Sequence, residues 1–133
     1  MTSEIRHSGV VPTLIVDGVR KYVLITNRND VWGLPKGVIE PSMEPWESAA
    51  KEALEEAGVV GTVEPAPHTD YQHHKERAVT PVRMYLQHVT KVLNDWDEDH
   101  LRGRAIVSYG AALELIRPEV APVLKWADHL LSK

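Results

Sequence analysis

The chain has 133 residues, and its 15 Lys and Arg against 19 Asp and Glu give a formal net charge of −4. This length suits one compact core, so we expect residues 1–133 to form a single domain. The acidic balance argues against dedicated nucleic-acid binding. The absence of cysteine excludes disulfides, thiolate metal sites and cysteine nucleophiles. The apolar runs are too short for a membrane span and the N-terminus is a poor signal peptide, so we expect a cytoplasmic protein with no membrane partner.

The first part of the chain is typical of a β-hairpin. The segment from Val10 to Val16 is apolar and β-branched, and Asp17-Gly18 is a strong two-residue hairpin signal. The returning strand is expected from Val19 to Thr26. Residues 27–30 then have the composition of a turn.

A helix is predicted from Pro45 to the residue before Gly58. Pro45 suits the first helical position because its missing N–H would be unpaired there, and Glu47 can reach back toward the cap. Gly58 supplies a left-handed C-terminal stop. The apolar residues recur at helical spacing and predict a narrow buried face. They are Trp46, Ala49, Ala50, Ala53, Leu54 and Ala57.

Strands and then helices are predicted in the second half of the chain. Apolar Val82, Met84 and Leu86 alternate with Arg83, Tyr85 and Gln87, a pattern typical of a half-buried strand. A short strand from Arg104 to Val107 and helices over Ala111–Ile116 and Pro118–Leu131 follow. This order of elements predicts an α/β fold in which helices cover a mixed sheet.

Three glutamates of the predicted helix, Glu52, Glu55 and Glu56, are spaced at i, i+3 and i+4, which puts them on one side. Such like charges repel each other, and a hard divalent cation such as Mg²⁺ or Mn²⁺ offsets the repulsion. A solvated, glutamate-rich helix face produces the same spacing, so the three residues alone leave both interpretations open. Residues 40–56 contain six acids and one lysine. The acidity of the chain is therefore concentrated at this helix, where bound cations would attract phosphate.

The segment from Gly37 to Val59, GVIEPSMEPWESAAKEALEEAGV, resembles the Nudix box of the Nudix hydrolases. Gly37 opens the box in the right register, and five further positions match the signature. These are Glu52, Glu55, Glu56, Gly58 and Val59. The resemblance implies a Nudix-type mixed β-sheet sandwiched between α-helices. It also implies hydrolysis of a diphosphate linkage by an enzyme acting on phosphoric anhydride bonds.

Two helper positions of the box depart from the signature. Its first glutamate falls on Met43, which cannot ligate Mg²⁺, and Glu44 stands one residue late at the helix entrance, from where it could swing into the gap. Its arginine is replaced by Lys51, which keeps the charge but lacks the planar fork. These departures support an alternative of another class, a catalytically weak Nudix-fold domain that binds a nucleotide or phosphorylated ligand as a sensor. A domain without a site, whose glutamates cluster by chance, is a third alternative.

The resemblance also implies roles for individual residues. Glu52 and Glu56 would ligate Mg²⁺ or Mn²⁺, and Glu55 would ligate a further cation or act as general base. The backbone carbonyl of Lys36, just before the box, would complete the metal site. A glutamate from a later loop joins the metal site in several Nudix enzymes, and Glu98 is the candidate. A solvated acidic turn is the competing interpretation of Glu98 and its acidic neighbours.

The segment from Val92 to Ile116 is similar to the Nudix subgroup acting on diadenosine polyphosphates and diphosphoinositol polyphosphates. This implies a small polyphosphate substrate bound by a monomer or homodimer, with basic side chains on the phosphates. The stretch from His73 to Arg77 is the strongest candidate, although an ordinary exposed turn explains it equally well. Tyr85 is expected to line the cleft from the polar side of its strand. The candidate substrate-binding residues are Arg28, Lys36, Gly37, His73, Lys75, Arg77, Arg83 and Tyr85.

Overall fold

The computed structural model describes residues 4–133 and contains seven strands and three helices in that range. The strands are β1 (His7–Val16), β2 (Val19–Thr26), β3 (Trp32–Gly33), β4 (Lys36–Val38), β5 (Val59–Lys75), β6 (Ala78–Val92) and β7 (Arg104–Val107). The helices are α1 (Pro45–Ala57), α2 (Tyr109–Leu115) and α3 (Ala121–Leu131). Within residues 4–133, no helix is long and apolar enough to cross a membrane.

The strands form one mixed sheet in the order β3-β2-β1-β6-β5, with β4 paired to β1 and β7 paired to β2. Strands β1 and β6 run parallel, and the other pairs are antiparallel. The predicted hairpin is confirmed, because Val16 pairs with Val19 across Asp17 and Gly18. Both turn residues have positive φ, as a tight hairpin turn of this length requires.

Helices cover both faces of the sheet, which confirms the predicted fold class. Three alanines of α1, Ala49, Ala53 and Ala57, are fully buried against one face, and their small side chains let the helix approach the strands closely. Helices α2 and α3 cover the other face, where Leu124 and Ala127 are fully buried. Helix α3 begins at Ala121 rather than at Pro118, because residues 118–120 form a turn.

The signals predicted at the two ends of α1 are confirmed. The backbone N–H of Glu44 donates to the Glu47 carboxylate (2.9 Å), and Pro45 is the first helical residue. Gly58 ends the helix in the left-handed conformation with φ of 65°, and its N–H donates to the Leu54 carbonyl (3.1 Å). Leu54 itself is 43% exposed, so its predicted place on the buried face is wrong. It points away from the alanine stripe, which meets the sheet together with Trp46.

The prediction that β6 is half-buried is also wrong. Tyr85 and Gln87 are almost completely buried, as are Met84 and Leu86 on the opposite side of the strand. The reason is topological, since β6 lies between β1 and β5 with helices on both faces. Strands β5 and β6 extend together as a long hairpin that ends at the Glu76-Arg77 turn.

Gly58→Ala should destabilise the chain, because a Cβ there would lie 2.7 Å from the Trp96 Cβ and the residue has positive φ. We expect the free energy of unfolding, measured by urea denaturation, to fall by about 2 kcal/mol. Gly110→Ala in α2 is the matched control, because nothing lies within 4 Å of its new Cβ. An equal loss in both variants would contradict the steric explanation.

Candidate active site

The last turns of α1 place two acidic side chains next to each other. Glu52 and Glu56 lie one turn apart on the same side of α1, and the backbone N–H of Lys36 donates to Glu56 Oε1 (3.2 Å). Gly37 lies directly against them, because a Cβ at that position would overlap the Glu52 carboxylate. A glycine here is therefore what allows strand β4 to run alongside the acid pair.

Burial makes this pair electrostatically unusual. Glu56 is only 7% exposed, and burial raises its pKa to about 8, helped by the neighbouring Glu52 and opposed by Arg102. Burial also raises the pKa of Glu52. Two adjacent carboxyl groups cannot both ionise at low cost without a cation nearby. The pair therefore fits a hard divalent cation, which prefers carboxylate oxygens as ligands.

The third glutamate of the helix is not part of the pair. Glu55 faces Lys51, with 3.4 Å between Nζ and Oε1, and its side chain is about one-third exposed. No three Asp, Glu or His side chains converge on one point in the part of the chain that the structure describes. The structure thus brings together two of the three predicted glutamates and leaves Glu55 at their edge.

Lys51 also binds an acid that the sequence analysis did not single out. Its Nζ contacts the carboxylate of Glu40, which lies three residues before Met43. Glu44 does not fill the gap left by Met43, because it is exposed and caps the start of α1. The carboxylate that pairs with Lys51 is therefore that of Glu40, which lies within the box but before α1.

The segment after β6 docks onto the C-terminal end of α1. The Trp96 indole N–H donates to the Glu56 carbonyl (3.0 Å), and the Glu98 N–H donates to the Glu55 carbonyl (3.0 Å). Arg104 donates to the Ala57 carbonyl (2.9 Å), and its guanidinium lies 4.0 Å from the centre of the Trp96 ring. These donors satisfy carbonyls that a helix end leaves unpaired.

Arg102 joins this segment to the acid pair. Its Nε donates to Glu98 Oε1 (2.7 Å), and a second guanidinium nitrogen donates to the Thr26 carbonyl (3.0 Å). Its third nitrogen lies 3.4 Å from Glu56 Oε2. Sequence reasoning missed Arg102, although its i, i+4 spacing from Glu98 was an available signal. Glu98, the candidate loop ligand, is thus held by an arginine.

A cleft of about 730 Å³ opens beside Glu56 on the side of α2 and α3. Four of the candidate substrate-binding residues line it, namely Arg28, Lys36, His73 and Lys75. Sequence reasoning did not identify several others that also line it. These include Leu34, Tyr71, Arg102, Arg117, Glu119 and Val120. Trp32 both contacts the core and lines the cleft.

The other four candidate substrate-binding residues do not line this cleft. Gly37 lies in β4 against the Glu52 carboxylate. Arg77 is exposed in the turn between β5 and β6. Arg83 forms a two-bond ion pair with Asp70 (2.9 and 3.1 Å). Tyr85 is 2% exposed and packs in the core under α1, so the prediction that it lines the cleft is wrong. Arg83 and Tyr85 point to the same face of β6, which α1 covers.

Comparison with protein families shows to which family the chain belongs. The NUDIX domain family model matches residues 6–127. The chain belongs to the NUDIX family. It is 37% identical over 76 residues to rat diphosphoinositol polyphosphate phosphohydrolase 2 and 36% identical over 75 residues to the bovine enzyme 3-beta. Each match covers 56% of this chain, and 40% and 44% of the respective relative, so the chain spans less than half of their length.

Solved structures agree with this assignment of the fold. The Caenorhabditis elegans Ap4A hydrolase superposes with a TM-score of 0.79 over 96% of this chain and 99% of that one, at 19% identity. The NUDIX domain of Shewanella oneidensis NrtR, in complex with ADP ribose, gives 0.78 over 98% and 90%, at 14% identity. At these identities the likeness shows the fold, and the expected Nudix-type sheet between helices is confirmed.

The raised pKa of Glu56 predicts how stability depends on pH. Folding favours the protonated carboxyl, so its contribution is complete below the usual pKa of 4.5 and is lost as the pH rises through about 8. In metal-free buffer above that pH, Glu56→Gln should raise Tm by roughly 3 °C, because the amide carries no charge. Calorimetry would measure this. Glu114→Gln is the control, because Glu114 is an exposed residue of α2. An unchanged Tm in both variants would contradict the raised pKa of Glu56.

Proposed function

We propose that this chain is a Mg²⁺- or Mn²⁺-dependent pyrophosphohydrolase that cleaves a diphosphate linkage in a small polyphosphate substrate. A nucleoside polyphosphate, a dinucleoside polyphosphate and a diphosphoinositol-type compound are the candidate substrates. The observation that carries this proposal is the pair of half-buried Glu52 and buried Glu56 beside a cleft lined with basic side chains. Membership of the NUDIX family and the names of its phosphohydrolase relatives support it.

Each part of the site has a role in this proposal. Glu52 and Glu56 hold the divalent cation, the carbonyl of Lys36 completes the site, and Glu55 ligates a further cation or accepts the proton of the attacking water. A bound divalent cation supplies neutralisation of phosphate oxygens and a more acidic water molecule. The chain itself supplies positioning, because β4 and α1 fix the acid pair against each other.

The cleft provides for the rest of the substrate. Arg28, Lys36 and Lys75 give it cations that pair with phosphates. Burial lowers the pKa of Lys36, which is consistent with a lysine enclosed by the cleft rather than extended into solvent. The walls also include apolar side chains, which suit an organic group attached to the phosphates. They include Trp32, Leu34, Tyr71 and Val120.

The alternative is a Nudix-fold domain that binds a nucleotide or phosphorylated ligand without efficient turnover. Met43 stands where the Nudix signature has its first glutamate, and this departure favours the alternative. One structural neighbour is a NUDIX domain in complex with ADP ribose. The ion pair between Lys51 and Glu40 weighs against the alternative, because it keeps the positively charged Lys51 ammonium group beside Glu55.

Substitution of the acid pair separates these possibilities. Glu52→Gln and Glu56→Gln should each lower the rate of Mg²⁺-dependent hydrolysis by about 100-fold or more while circular dichroism shows an intact fold. The assay is a panel of nucleoside triphosphates, dinucleoside polyphosphates, diphosphoinositol polyphosphates and capped RNA, with products identified by mass spectrometry. That identification also shows which phosphorus is attacked.

The control for these substitutions is Glu114→Gln, which removes a carboxylate from exposed α2 and should leave hydrolysis unchanged. Wild-type protein that binds a compound of the panel but hydrolyses none at millimolar Mg²⁺ or Mn²⁺ would favour the sensor. Activity that survives both substitutions in α1 would exclude the proposed site.

A further inference from the structure

The Arg102 guanidinium is fixed by acceptors from three separate parts of the chain. Glu98 lies in the segment after β6, the Thr26 carbonyl ends β2, and Glu56 lies in the last turn of α1. The side chain also lines the cleft beside the acid pair. A guanidinium held in this way has a defined plane, so its remaining N–H groups have defined directions.

The three contacts differ in length, and the difference indicates which edge of the guanidinium is available. The bonds to Glu98 and to the Thr26 carbonyl are short, at 2.7 and 3.0 Å. The contact with Glu56 is long, at 3.4 Å. The group has five N–H donors, so the nitrogen that faces Glu56 keeps a donor for a further acceptor in the cleft.

We propose that Arg102 is a catalytic residue that contacts the phosphate under attack, and that Glu98 is a positioning residue for Arg102 rather than a ligand of the cation. This inference rests on the proposed function. Glu98 Oε1 accepts the shortest of the three bonds of Arg102, and the Glu98 backbone N–H donates to the Glu55 carbonyl, which fixes Glu98 against the end of α1. A carboxylate fixed in this way is suited to anchor the arginine.

The charges around Arg102 support this role. In the structure its third nitrogen lies beside the Glu56 carboxylate and offsets its charge. Glu52 and Glu56 would hold the divalent cation that offsets their charge, and that nitrogen of Arg102 would then be free to donate to a phosphate oxygen at the same place. The anchors at Glu98 and Thr26 persist, so the donor is oriented before the substrate arrives and little reorganisation is needed.

The experiment compares Glu98→Gln, Arg102→Lys and the double variant with the wild-type chain. Asp97→Asn is the matched control, because it removes an exposed carboxylate from the same segment. Binding of Mn²⁺ alone is measured by electron paramagnetic resonance. Binding of imidodiphosphate, a non-hydrolysable form of the diphosphate unit shared by the candidate substrates, is measured by calorimetry with Mn²⁺ present. Thermal unfolding of each variant checks that it is folded.

We expect both single variants to bind Mn²⁺ as the wild type does and to bind imidodiphosphate about tenfold more weakly, since each loses an oriented charge-assisted hydrogen bond. The double variant should be no weaker than Arg102→Lys, because Glu98 acts through Arg102. With the best substrate of the panel, kcat should fall by about 100-fold in Arg102→Lys. Asp97→Asn should match the wild type in every measurement.

Two results would overturn the inference. A loss of Mn²⁺ affinity of tenfold or more in Glu98→Gln would show that Glu98 is a metal ligand. Unchanged imidodiphosphate binding in Arg102→Lys would show that Arg102 does not contact the phosphate. Failure of the proposed function has a different signature. Wild-type protein that binds Mn²⁺ and imidodiphosphate but hydrolyses nothing refutes the enzyme, while the binding measurements still decide the role of Arg102.

Discussion

The placement of two adjacent carboxyl groups in the last turns of α1, with Glu56 buried and Glu52 half-buried, is the constraint on which the surrounding structure depends. Glu52 and Glu56 repel each other when both are ionised, and burial increases that cost. The backbone N–H of Lys36 and the guanidinium of Arg102 both contact the Glu56 carboxylate and stabilise its negative charge. These contacts reduce the cost without removing it, since the pKa of Glu56 stays well above its usual value. The chemistry of the pair is therefore that which a hard divalent cation would suit.

The fold holds this unfavourable arrangement in place from several directions. The small residues of α1 let the helix lie close against the sheet, and Gly37 lets β4 pass beside Glu52. Pairing of β4 with β1 fixes that strand, while Trp96 and Arg104 bind carbonyls at the end of the helix. Stability from the two cores thus supports a site that is itself electrostatically strained, a common arrangement at functional sites.

An acidic segment that repels phosphate lies next to a basic cleft that attracts it. Residues 40–56 carry most of the excess negative charge, whereas the cleft next to them is lined by Arg28, Lys36, Lys75 and Arg102. An acidic helix alone would repel phosphate, and a basic cleft alone would bind it without activating water. Cations bound at the acid pair would join the two regions into one positive surface. The mild acidity of the whole chain conceals this local organisation.

The sequence by itself determined the features that depend on neighbouring residues. These features act between residues that are close in sequence, so their effect can be predicted locally. They are the Asp17-Gly18 turn, Pro45 and Gly58 at the ends of α1, and the spacing of Glu52 and Glu56. Only the tertiary structure decided the rest. The contact of Arg102 with Glu56 joins residues far apart in the chain, and the burial of Tyr85 follows from the central place of β6. Such contacts depend on how strands and helices stack in space, and no local pattern in the sequence specifies that stacking.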